Sequence, residues 1–125
     1  MVTTVDEILQ IVRANPFIDG IGYFIEVTTV DPVPPPAVDD LTSMVQDAFC
    51  AHAQVTQEAE EIIGLDFHEH IFTRGQGSEH DMRALERVLK TIEMDFGIDH
   101  LCIEFQFDFL RAKSVKREMD ELLRP

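Results

Sequence analysis

The sequence predicts one acidic domain of the α/β or α+β class: a small three-stranded sheet, mixed or antiparallel, with helices mainly on one face. Three observations predict it. Apolar residues recur at helical spacing and at period two by turns, in the order α-β-α-β-α-β-α. The last period-two run, Leu101 to Phe109, is apolar on one side and polar on the other, whereas strands of a parallel sheet are buried on both sides. The length of 125 residues suits a single core, and 45% apolar with 27% charged residues is ordinary globular usage.

The first helix is announced by Thr4 and Glu7, three residues apart as in a capping box, followed by Val5, Ile8, Leu9 and Val12 on one face. Asn15-Pro16 ends it. The segment from Ile21 to Val30 is rich in β-branched and aromatic residues, with Ile21, Tyr23, Ile25 and Val27 on one side, and reads as a strand. Residues 31–38 hold four prolines in eight positions and read as a stiff polyproline connector. From Asp39 an apolar stripe runs through Leu41, Val45, Phe49, His52, Val55, Ala59 and Ile63 to Gly64, predicting a second helix. At 1.5 Å per residue it would be about 35 Å long, as long as the domain is wide.

Residues 65–73 alternate, with Asp66, His68 and His70 on one side, and predict a strand. Ser78 and Asp81 mark the start of a third helix with Met82, Leu85, Val88, Leu89, Ile92 and Phe96 on its inner face, stopped at Gly97. In the last strand Leu101, Ile103, Phe105, Phe107 and Phe109 share one face, and Cys102, Glu104, Gln106 and Asp108 the other. A short final helix starts at Ser114, with Val115, Met119 and Leu122 at helical spacing.

Charge restricts the partners. The 24 acidic and 10 basic residues give a net charge of −14, which repels phosphate backbones and anionic headgroups, so neither nucleic acid nor membrane is expected as a direct partner. Such acidity suits solubility or a salty cytoplasm, a basic partner, or mimicry of nucleic acid toward a DNA-binding protein. It is also uneven. Residues 111–125 carry five basic groups against three acidic ones, a net +2 that leaves −16 on the rest. Such an end can pair with its own body or with a second copy.

Two cysteines, Cys50 and Cys102, form neither a disulfide framework nor a zinc knuckle, and the opening MVTTVDEILQ lacks the basic and apolar regions of a signal peptide. A reducing, cytoplasmic setting is the expectation.

Chemistry has one candidate. A strand would place His68 and His70 on one face about 7 Å apart, and Glu104 would complete a divalent metal site if the last strand lay beside them, with Asp66, His80, His100 or Cys102 as further donors. The loop Arg74-Gly75-Gln76-Gly77 precedes a helix, but Glu79 and Asp81 at that helix start repel an anion, and it matches no nucleotide-binding pattern. No nucleophile constellation is present and no catalytic residue is assigned. The expectation is a non-enzymatic protein–protein interaction module, an assembly component, inhibitor or immunity-like protein, that forms a homo-oligomer. Its contact residues would be Glu104, Gln106, Asp108, Arg111, Lys113, Lys116 and Arg117. The alternatives are a metal-dependent enzyme built on His68 and His70, and a nucleic-acid mimic.

Overall fold

Thr4 opens the first element as its sequence predicts: its hydroxyl oxygen accepts the Glu7 amide at 3.1 Å, and α1 follows over Val5–Ala14. The structure, a computed structural model, describes residues 4–14, 21–68 and 76–107. Within these residues β1 spans Ile21–Thr29, α2 Pro35–Phe49, β2 Ala53–Ala59, β3 Ile62–Phe67, α3 Gln76–Phe96 and β4 Ile98–Phe107, with a 3₁₀ turn at Cys50–His52. The fold is of mixed α+β type, with three helices and a four-stranded sheet in the order β2-β3-β1-β4, every pair antiparallel.

Four strands stand where three were expected, because the second half of the predicted helix over 39–63 is a β-hairpin. The helix ends at Phe49; Cys50 takes a left-handed backbone, φ 56°, which turns the chain into the 3₁₀ turn and then β2. Thereafter the pairing decides. Val55 faces Leu65 and Ala53 faces Phe67 across the hairpin, and both lie toward the core. Gly64, which reads as a helix stop, sits in the middle of β3.

The proline connector is also shorter than expected. Residues 31–34 are irregular, but Pro35 and Pro36 form the first turn of α2, where an amide N–H has no helical partner to lose. The segment is tied to the hairpin turn by the Val33 amide on the Glu60 carbonyl at 2.7 Å and by Gln57 Nε2 on the Val33 carbonyl at 2.8 Å.

At the other end of the hairpin β3 stops at Phe67, and residues 69–73 of the strand predicted over 65–73 lie outside the described residues. His68 follows Phe67, exposed, with its amide on the His52 carbonyl at 2.7 Å. Gly97, φ 72°, ends α3, and the Val30 and Asp31 amides bond the carbonyls of Gly97 and Phe96, fastening the end of β1 to the end of that helix. The predicted last helix and residues 108 and 109 of the predicted last strand lie outside the described residues.

One core holds these elements together. Tyr23, Ile25 and Val27 of β1 lie level with Phe67, Leu65 and Ile63 of β3, and all six are buried. Leu101 of β4 joins them beside Val27. Ile8 and Val12 of α1, Leu41, Val45 and Phe49 of α2, and Leu85, Leu89 and Ile92 of α3 cover this face. Each fully buried aliphatic side chain contributes about 1.5–3 kcal/mol.

Tyr23 is 2% exposed, and burial raises its phenol above the ordinary value near 10. The unfolded chain therefore loses this proton first. The contribution is fully present below pH 10 and disappears as pH rises through the folded value. Tyr23 is the only tyrosine and there is no tryptophan, so phenolate absorbance reports it alone. The expected titration midpoint lies above that of the urea-unfolded chain, and equal midpoints would refute the assignment.

Candidate functional site

The second face of the sheet is built by the residues that alternate with the core. β1 gives it Phe24, Glu26 and Thr28, and β3 gives Ile62, Gly64 and Asp66. Outside these, Gln54 and Thr56 of β2 and His100, Cys102 and Glu104 of β4 complete it. Apart from buried Gly64 these residues are half-buried or exposed, and among the described residues no helix covers them.

Phe24 lies at the centre of this face. It pairs with Asp66 on one side and Glu104 on the other, so two carboxylates flank an aromatic ring. Gly64 makes room for that ring: a Cβ there would lie 2.9 Å from Phe24 Cζ and 2.5 Å from Thr56 Oγ1. Glu26, level with Gly64 and Cys102, adds a third acid. No lysine or arginine occurs in any of the four strands, so the face is acidic around an apolar centre. At its margin His100 Nε2 lies 3.1 Å from Cys102 Sγ.

The predicted contact residues divide. Glu104 is exposed on this face, and Gln106 lies in β4 level with Gly22. Asp108, Arg111, Lys113, Lys116 and Arg117 lie outside the described residues. Phe24, Glu26 and Asp66 are members that the sequence reading did not assign to the contact surface. The signal was present in β1, where the positions between Tyr23, Ile25 and Val27 are Phe24 and Glu26, but an aromatic there looks like additional core until the sheet is seen to carry helices on one side.

Among the described residues the last strand does not lie beside the one that leads to His68. β1 lies between β3, which leads to His68, and β4, which carries Glu104. Two strand spacings, about 10 Å, therefore separate those strands, with Phe24 between them. His70 lies outside the described residues, among which no group of three or more His, Cys, Asp or Glu side chains could hold a metal ion. Both cysteines are free thiols, Cys50 exposed and Cys102 half-buried. No helix among the described residues is long and apolar enough to cross a membrane.

Fold and face together define a small antiparallel α+β domain with an open, acidic sheet surface. Compared with known proteins, the chain matches no family model, no curated protein and no solved structure.

Proposed function

We propose that the chain is a non-enzymatic protein–protein interaction module, an assembly component, inhibitor or immunity-like protein, that binds through its open sheet face and assembles with copies of itself. The observation that carries this reading is Phe24, an aromatic held half-buried between Asp66 and Glu104 on strands that, among the described residues, carry no lysine or arginine. An aromatic anchor ringed by polar groups has the anatomy of a binding hot spot: contact excludes water from the ring while the rim selects the partner's charge. The acids call for a basic partner, and residues 111–125 offer one on every copy, with Arg111, Lys113, Lys116 and Arg117 in seven positions.

Reversing these four charges to glutamate is expected to reduce the native mass to that of the 14.3 kDa monomer. Glu26→Lys with Glu104→Lys should do the same from the other side of the contact. Light scattering decides it: a wild-type protein already at monomer mass, or charge-reversed variants at the wild-type mass, would end the self-assembly claim. The broader reading is tested separately, by whether Phe24→Ser weakens capture of partners while leaving the denaturation midpoint near that of the wild type.

A further inference from the structure

We propose that the groove between α2 and α3 binds a small molecule carrying a phosphate or carboxylate group on an apolar body. The groove encloses about 370 Å³, within the span of small-ligand pockets. Its concavity has a cause in the sequence. Ala48 on α2 and Ala84 on α3 both line it, so the two helices present only methyl groups where larger side chains would close the gap. Met44 adds a pliable apolar wall.

Two of the four polar lining residues are arginines. Arg83 and Arg87 stand one turn apart on the same side of α3, with His80 a turn earlier, and Asp47 is the only acid among the lining residues. The described residues include four lysines and arginines. Arg13 lies 4.0 Å from Glu79 and Lys90 3.5 Å from Glu93, whereas no ion pair involving Arg83 or Arg87 occurs among the described residues. In a chain with 24 acidic residues, two guanidinium groups lining a cavity without an acidic partner leave their fork of N–H donors available to an oxyanion from outside. Arginine holds phosphate and carboxylate in bidentate fashion. The acidic body does not prevent this, because salt screens charges beyond about 8 Å at physiological ionic strength. Asp47 opposes a second negative group and accepts a hydrogen bond from a ligand hydroxyl or ammonium, so the anionic group belongs at the α3 side and the apolar body along Met44, Ala48 and Ala84.

The test is a two-dimensional NMR titration of the full chain with phenyl phosphate, benzoate and inorganic phosphate at constant ionic strength. Saturable shifts are expected at Met44, Ala48, Arg83 and Arg87, with the better aromatic probe binding about tenfold more tightly than inorganic phosphate, since only it fills the apolar part. Phenyl phosphate winning identifies a phosphate ligand, and benzoate winning a carboxylate. Arg83→Gln with Arg87→Gln should weaken that probe about tenfold. Ala48→Leu, which fills the groove and keeps both arginines, should abolish its binding. No saturable shift at these residues, inorganic phosphate binding as well as either aromatic probe, or unchanged affinity in the filled-groove variant would overturn the proposal. None of these readouts depends on the sheet face, so the proposal stands or falls apart from the assembly reading.

Discussion

Phe67→Ala is expected to cost about 3–5 kcal/mol of folding stability. Phe67 is completely buried at the end of β3, level with Tyr23 on one neighbouring strand and Ala53 on the other. Its ring meets that of Phe49 edge to face, with centroids 5.2 Å apart and planes at 76°, an arrangement worth about 0.5–1.5 kcal/mol beyond burial. Phe49 is the last residue of α2, so this pair joins the helix terminus to the sheet at the point where the chain turns into the hairpin. Truncation leaves a cavity bounded by a helix end and two strands, none of which can collapse into it without breaking backbone hydrogen bonds. Domains of this size are stable by about 5–15 kcal/mol, so the variant should lose a large part of its margin. Urea denaturation followed by circular dichroism measures it, and a loss below about 1 kcal/mol would mean that the Phe49–Phe67 junction is not a keystone of the core.

Gly22→Ala should also be clearly destabilising, although it adds only a methyl group. A Cβ at Gly22 would press on the Phe67 carbonyl oxygen and lie 3.5 Å from His68 Cα. Both obstacles are backbone, so no rotamer change relieves them, and the strands must part. Overpacking of this kind costs about 1–3 kcal/mol. The paired register of β1 and β3 ends one residue on, at Tyr23 and Phe67, so the damage should begin there. Hydrogen exchange should show faster opening at the Tyr23 and Phe67 amides than at Val27, at the far end of the same pair. Wild-type exchange at both sites would contradict the close approach.

Much of the fold was legible because local pattern and tertiary environment agree. Thr4 with Glu7, the alternation in β1, the Gly97 stop and the two-faced β4 each announce the element that forms. The hairpin was illegible because they disagree. Gln57, Glu58, Ala59, Glu60 and Glu61 favour helix, and the apolar residues from Leu41 to Ile63 fall at spacings that a helix satisfies. What overrides them is pairing: Ala53 and Val55 alternate toward the core, and Ile63, Leu65 and Phe67 complete a strand whose ladder fills the space beside β1. A clue was available in length, since a helix as long as the domain is wide has no face to bury along its whole course. Of the described residues on the open face, Glu104 alone is named as a contact residue from the sequence. Phe24 and Asp66 required the strand order, because they flank one another only once β1 is known to lie between β3 and β4.

That central position has a kinetic consequence. β1 is the first strand in the chain, but its two partners begin at residues 62 and 98, so neither of its ladders can close locally. The β2–β3 hairpin, by contrast, joins neighbours across a two-residue turn and can form on the microsecond scale. During synthesis β1 must therefore wait for residues 62–67 to gain its first partner and for residues 98–107 to gain its second. The pairing that brings residues 21–29 to residues 98–107 is a long-range closure of the kind that makes sheet proteins slow to fold.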